Sequence, residues 1–177
     1  MDKKELRKKI RELKRAMTEE QIVSASQRLG EKFLASDYYK NAKTIYGYLP
    51  YNQEVRTVPM LEQALKDGKK VAVPKCYGDE MRFIYMDDLS LVENGYANIP
   101  EPIADGPVAE DKTALVLMPG MAFTKSGDRM GYGGGFYDKF LASEPDHPTL
   151  ALCYDFQMVE SLPTEEYDIP VDCVLWA

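Results

Sequence analysis

The stretch Leu115-Val116-Leu117-Met118-Pro119-Gly120-Met121-Ala122-Phe123, carried on through Gly131-Tyr132-Gly133-Gly134-Gly135-Phe136-Tyr137-Asp138, decides how this chain folds. It opens as a short apolar run of strand type, and Pro119-Gly120 punctuates its end. A polar loop with Lys125, Asp128 and Arg129 follows, then the glycines, and Phe136 to Leu141 suits the first turns of a helix. Strand, glycine loop, helix is an order that leaves free backbone N–H groups at a helix start, where anions bind. Four glycines in five residues exceed the needs of a tight turn, and each costs entropy on ordering. Close approach of the backbone to a ligand is the stronger reading. Arg129 before the glycines offers a planar fork for phosphate oxygens. Asp138 after them offers a hard oxygen donor for a divalent cation.

Two familiar phosphate motifs are excluded by inspection. A Walker loop needs a glycine directly before its lysine, and Thr124 stands before Lys125. The dinucleotide fingerprint fails because Phe136 occupies the place of its third glycine.

Toward the N-terminus, Asp2 can cap a helix from Lys3 to about Met17, with Leu6, Ile10, Leu13 and Met17 as its apolar stripe. Lys3, Arg7 and Lys14 fall along one border of that stripe, while Lys4, Lys8 and Arg15 point further out to water. Thr18-x-x-Gln21 is a capping-box pattern that starts a second helix ending near Ala35. Thr44 to Leu49 reads as the first strand, and a loop with Pro50, Asn52 and Glu54 follows it. Thr57 is expected to cap a helix with Pro59 in its first turn and Asp67-Gly68 at its end. Further strands are expected over Lys70 to Pro74, Arg82 to Tyr85, Thr149 to Cys153 and Pro170 to Leu175, with Glu93 to Pro107 as a long loop. The alternation of short strands and helices predicts an α/β fold: a single three-layer α/β/α domain over residues 1–177, with a mostly parallel central sheet and an N-terminal basic helix. Ligands of such sheets bind beyond the strand carboxyl ends. Glu54 and the glycine loop, each following a strand, are therefore expected to face one crevice.

Composition narrows the function. Cys76, Cys153 and Cys173 form no Cys-x-x-Cys pair, which argues against a disulfide framework or zinc site and for a cytoplasmic location. No run approaches a membrane span. His147 is the sole histidine, so a His-based triad has little scope. The net charge of −7 hides an asymmetry, since residues 1–15 carry +5 and the remainder about −12. An acidic chain is a poor general nucleic-acid binder, and the basic end has a local task.

Met118 to Phe123, followed by Gly127-Asp128-Arg129-Met130-Gly131-Tyr132-Gly133-Gly134-Gly135-Phe136-Tyr137-Asp138, resembles the signature of the 5-formyltetrahydrofolate cyclo-ligase family. The likeness extends to Lys3-Lys4-x-x-Arg7, Glu54, Asn98 to Pro102, and Leu162 to Asp172. It implies a ligase in which ATP and Mg²⁺ drive closure of 5-formyltetrahydrofolate to 5,10-methenyltetrahydrofolate, with release of ADP and phosphate. The formyl oxygen would be phosphorylated, and N10 would then attack the activated carbon. The resemblance assigns catalysis to Arg129 and Tyr137. It assigns ATP binding to Lys3, Lys4, Arg7 and the run from Arg129 through Met130, Gly131, Tyr132, Gly133, Gly134, Gly135 and Phe136 to Tyr137. Leu49 and Glu54, with Tyr132 to Phe136, would meet the folate, and Asp138 and Asp168 would hold magnesium. Two positions depart from the family's usual pattern: Thr124, where Asp often stands, and Phe136, where Tyr does. The implied partners are two small molecules, without nucleic acid or membrane, and the chain is expected to act as a monomer.

Bland alternatives exist for single residues. Glu54 alone is a solvated loop carboxylate, Asp168 and Asp172 are turn formers near Pro170, and Tyr46, Tyr48 and Tyr51 are strand aromatics of core and rim. A sugar-phosphate isomerase or acyl-CoA transferase relative would use a similar loop, and a nucleotide-sensing module would tolerate loss of Glu54. The basic N-terminal helix discriminates against the isomerase, which has no reason to aim it at the loop.

Overall fold

The protein's computed structural model describes residues 2–103 and 106–177. Helix α1 (Lys3–Arg15) begins at Asp2, whose carboxylate accepts from Glu5 N while Glu5 reaches back to Asp2 N. Helix α2 (Glu19–Ala35) begins with the reciprocal bonds of Thr18 and Gln21 that its sequence pattern predicts. A short α3 (Asp37–Asn41), absent from the sequence reading, links it to strand β1 (Thr44–Tyr46). Helix α4 (Val58–Lys66) starts after Thr57 with Pro59 in its first turn. Thr57 is not its side-chain cap, however. The hydroxyl instead donates to Tyr48 O at 2.5 Å, tying the helix start to the loop that follows β1.

Strands β2 (Lys70–Tyr77) and β3 (Glu80–Tyr85) form an antiparallel hairpin, longer than the sequence suggests. The segment expected as a long loop contains an antiparallel pair instead, β4 (Val92–Asn94) and β5 (Pro100–Pro102), joined through a turn in which Ala97 and Asn98 take positive φ. Positions 104 and 105 of that expected loop lie outside the described residues. Strand β6 (Leu115–Met118) is followed by a small hairpin of β7 (Ala122–Phe123) and β8 (Arg129–Met130), then α5 (Phe136–Ser143), β9 (Thr149–Cys153) and β10 (Cys173–Trp176).

Among the described residues the main sheet has six strands in the order β10-β9-β6-β1-β2-β3, all neighbours parallel except β2 and β3. Side chains alternate across it, as the strand repeat of two requires. Ile45, Val71, Leu115, Leu117, Leu150 and Leu152 bury one face in a core shared with Leu29 and Phe33 of α2 and Leu61 of α4. Tyr46, Ala72, Val116, Met118, Ala151 and Cys153 bury the other in a core shared with Leu141 of α5. Two helical layers thus flank the sheet. Each fully buried aliphatic chain contributes about 1.5–3 kcal/mol.

The lone histidine belongs to this frame. His147 is buried, its Nδ1 2.8 Å from Ala114 O and its Nε2 2.9 Å from Glu144, with its ring stacked on Phe140. Asp172 is structural as well, exchanging hydrogen bonds with Thr149 N and Oγ1. Gly127 has a required identity. At φ +97 its backbone lies so close to Val171 that a Cβ would stand 2.1 Å from the Val171 carbonyl oxygen.

Candidate functional site

The chain leaves β1 toward one edge of the sheet, through α4 to β2, and leaves β6 toward the other, through α5 to β9. The crevice where such paths part, beyond the strand carboxyl ends, is where ligands of α/β sheets bind. A cleft of about 600 Å³ opens there. Tyr48, Leu49 and Glu54 border it from the end of β1, Pro119 and Met121 from the end of β6, and the glycine loop from the start of α5. Helix α1 crosses it, docked by Leu6 and Ile10 on Met121, Ala122 and Met130 of the β7–β8 hairpin.

Local chemistry holds each lining element. After β1, Glu54 N donates to Tyr51 O and Tyr51 N to Glu54 Oε1 at 2.8 Å, closing a turn in which Asn52 takes φ 51. Asparagine tolerates that left-handed region better than most residues. In the β7–β8 hairpin Thr124 is buried, and its hydroxyl accepts from Asp128 N at 3.1 Å. That bond, with the contact of the Thr124 and Ser126 hydroxyls at 3.0 Å, closes the turn. Phe136 packs edge-on against Tyr96 of the β4–β5 turn, ring centres 5.3 Å apart, so its apolar edge anchors that hairpin over the cleft.

One end of the cleft is arranged for an anion. Arg129, its side chain only 6% exposed, donates to Pro119 O at 2.9 Å and meets Asp138 Oδ2 at 3.5 Å. Its Nε is buried without a hydrogen-bond partner among the described residues, an unspent donor in a guanidinium that lines the cleft. Arg7 Nε donates to Gly131 O at 3.3 Å, and Lys3 Nζ lies 3.9 Å from Asp168 Oδ2. Gly133 and Gly135 take φ +108 and +71, and Gly135 stands at the N-cap of α5 without any side-chain cap. The first N–H groups of this helix have therefore no capping side chain, unlike those of α1 and α2.

The other end is built around one carboxylate, Glu54. Tyr48 and Leu49 are buried, and the Tyr132 hydroxyl of the glycine loop stands between Lys14 of α1 and Glu54. Tyr132 Oη donates to Glu54 Oε2 at 2.9 Å and accepts from Lys14 Nζ at 3.4 Å. Burial raises the Glu54 carboxyl above its ordinary range, opposed first by the Lys14 charge and then by the Tyr132 hydrogen bond. Burial lowers Lys14, opposed first by Glu54. Tyr132 is 51% exposed at the open side of the cleft. Its phenol and that of the more enclosed Tyr137 are both pushed up, by loss of water around the hydroxyl and next by the Glu54 charge, and so remain protonated donors.

Of the residues singled out in the sequence, Lys3, Arg7, Leu49, Glu54, Met130, Asp168 and the run from Arg129 through Gly131, Tyr132, Gly133, Gly134, Gly135, Phe136 and Tyr137 to Asp138 all line this cleft. Lys4 does not. It is exposed on the outer side of α1 and is absent from the lining. Leu13 is also corrected, being 38% exposed while Lys14 is 7% exposed, because the buried face of α1 is turned toward its cations. Arg11 and Arg15 border the cleft too, and Arg15 is exposed, as its helical position predicts. Lys14 was legible from its helical spacing with Lys3 and Arg7, whereas Tyr96 was not, lying in a segment whose composition suggests a loop. Asp138 and Asp168 border the cleft together, and among the described residues no three His, Cys, Asp or Glu side chains gather as a metal cage.

Fold and cleft define an α/β protein with a crevice at its topological switch point, lined by cations near the start of α5 and by Glu54 near the end of β1. The family model described as "5-formyltetrahydrofolate cyclo-ligase family" matches residues 1–177. The 5-formyltetrahydrofolate cyclo-ligase of Mus musculus is 30% identical, covering 98% of this chain and 93% of that protein. The Escherichia coli K12 protein of the same name is 32% identical, covering 94% and 95%. Among solved structures, the 5,10-methenyltetrahydrofolate synthetase of Aquifex aeolicus superposes with a TM-score of 0.86 at 29% identity, covering 99% of this chain and 90% of that one. The chain belongs to the 5-formyltetrahydrofolate cyclo-ligase family and is an enzyme.

Proposed function

We propose that the protein converts 5-formyltetrahydrofolate to 5,10-methenyltetrahydrofolate at the expense of ATP, releasing ADP and phosphate. The formyl oxygen attacks the γ-phosphorus of ATP and ADP leaves. N10 then attacks the formyl carbon and loses its proton, and the C–O bond breaks as phosphate departs. A formamide oxygen is a poor leaving group, so phosphorylation is what makes the second step possible. Phosphoryl transfer is catalysed mainly by positioning and charge neutralisation, which suits a cleft of fixed cations and needs no histidine nucleophile.

Lys3, Arg7 and the N–H groups entering α5 hold the phosphates, and Arg129 meets the charge that develops as the γ-phosphoryl group moves. Tyr137 contributes a phenol that remains protonated. Leu49 packs on the ring, and Glu54 takes its adjacent N–H donors. Asp138 and Asp168 provide carboxylate oxygens of the hard type Mg²⁺ prefers; the ion would take further ligands from phosphate and water and would neutralise phosphate charge. We place the enzyme in the cytoplasm, acting as a monomer. Among the described residues no helix is long and apolar enough to cross a membrane.

The observation that carries this reading is the meeting of Arg129, the uncapped α5 start and Glu54 in one cleft. The test is a spectrophotometric assay of purified protein with 5-formyltetrahydrofolate, Mg²⁺ and ATP, following the methenyl chromophore. Product that depends on both ATP and Arg129 supports it. ATP binding without product removes the folate half of the reading, and no binding of either removes both.

A further inference from the structure

Lys14 is the one cation of α1 that is buried within the cleft, and the reaction described above makes no use of it. A lysine is seldom this buried without a partner. Its Nζ reaches Tyr132 Oη at 3.4 Å and stands 5.6 Å from the centre of the Tyr132 ring. An ammonium can only donate and an ionised carboxylate can only accept, so the bonds run in a single direction. Lys14 gives to the Tyr132 hydroxyl, which gives its own proton to Glu54 Oε2 at 2.9 Å. Tyr51 N occupies one site on Oε1. A carboxylate has about four acceptor sites. Two protein donors hold Glu54 rigid and leave one free site on each oxygen.

Resting on the function proposed above, we propose that Lys14 is a positioning residue that sets folate specificity: acting through Tyr132, it keeps Glu54 an oriented acceptor of two hydrogen bonds, so that the cleft takes a heterocycle with two adjacent N–H donors. A heterocycle with an acceptor at either place would face a carboxylate oxygen lone pair and be rejected, because an unpaired buried polar group costs more than the bond it replaces gains.

The groups around Glu54 point to Lys14 as its counter-charge. Tyr48 from the end of β1, Tyr132 and Tyr137 from the glycine loop and α5, and Tyr154 beyond β9 all feel its charge, and each is a neutral phenol. Arg56, two residues along, spends its guanidinium on the backbone carbonyls of Asn52 and Glu54 and on the Glu19 carboxylate, away from the Glu54 carboxylate. Arg7 is engaged with Gly131 O. Lys14 is the cation that opposes the effect of burial on Glu54. Without it, Glu54 would be harder to ionise, and the lower pH limit for folate use would move upward. The same helix thus carries cations for the phosphates at its start and the support for the ring site at its end.

The test uses the full chain with Lys14→Met, which keeps most of the stem and removes the charge, together with Lys14→Arg and Glu54→Gln. Lys14→Met is expected to raise KM for 5-formyltetrahydrofolate about tenfold with kcat within about threefold. The acidic limb of kcat/KM should move up by about one pH unit, and Lys14→Arg should recover most of both. On a Glu54→Gln background, Lys14→Met should add less than about twofold, since its partner is already gone. An unchanged KM and limb, or a full tenfold loss on the Glu54→Gln background, overturns the proposal. A carbon-13 titration of the Glu54 carboxyl in ligand-free protein separates this from the function itself. The carboxyl should titrate about one unit higher in Lys14→Met, and no movement overturns the lysine's role whether or not the wild type closes the folate ring.

Discussion

At the α5 end of the cleft, charges are held by other charges, Arg129 by Asp138 and Lys3 by Asp168, with an uncapped helix start between them. At the β1 end a single carboxylate, Glu54, is held by a backbone N–H and a phenol, with one buried ammonium behind. The first arrangement suits a ligand carrying several charges in changing positions, because no one contact defines the geometry. The second suits a flat neutral ring, because two fixed acceptor sites define both its edge and its plane. The anion end should therefore govern turnover and the ring end should govern recognition.

Arg129→Ala is the harshest test of that division. It is expected to lower ATP-dependent turnover by at least ~10²-fold, the size of a lost transition-state charge contact. The initial rate at saturating substrates measures it, and near-normal turnover would remove Arg129 from the mechanism. Thermal unfolding of the same variant checks that losing the pair with Asp138 has not cost the fold.

Glu54→Gln should act on the other end alone, raising KM for 5-formyltetrahydrofolate about tenfold, or ~1.4 kcal/mol, with ATP affinity by calorimetry nearly unchanged. Equal losses for both ligands would mean a damaged fold and would erase the contrast. A pH profile sharpens it further. Burial raises the Glu54 carboxyl, so its ionised form is lost on acidification sooner than that of an ordinary carboxylate. Folate kcat/KM should accordingly fall on an acidic limb above the usual glutamate range of about 4.3, and Glu54→Gln should abolish that limb. Lys4→Ala should have the smallest effect, within about twofold in ATP affinity, since Lys4 is exposed outside the cleft. A larger loss would show that the anion end extends beyond its visible lining.

The elements differ in how plainly their residues announce them. The start of α2 is readable because Thr18 and Gln21 form a self-contained set of bonds, independent of the rest of the protein. Strand β6 is readable because burial on both faces demands an unbroken apolar run. The β4–β5 hairpin hides behind Gly95, Asn98, Pro100 and Pro102, residues that ordinarily signal loops, and what stabilises it lies elsewhere in the chain, in Lys75 reaching Pro102 O and Phe136 meeting Tyr96. In the cleft, the glycine loop is conspicuous because its composition is costly. Glu54 is not, since one carboxylate in a loop carries no local mark, and the family resemblance, not its spacing, singles it out. The partnership of Lys14 with Tyr132 depends on how α1 is rotated as it docks, which its own apolar stripe misjudges at Leu13.

Helix α1 rests on a third cluster of its own, Leu6 and Ile10 against the β7–β8 hairpin, separate from the two cores that clamp the sheet. Two apolar side chains at about 1.5–3 kcal/mol each, helped by the polar contacts of Lys3, Arg7 and Lys14, make a shallow anchor for a segment with eight basic and three acidic side chains within fifteen residues. Its attachment is thus weakened by self-repulsion, and an arriving polyanion relieves that repulsion where it binds. The helix and its ligand then fasten each other. In hydrogen exchange, the amides of α1 should open well before those of β6 in the free protein, and nucleotide should slow them more than any other helix; equal protection of both in the free state would show the anchor to be stronger than its contacts suggest.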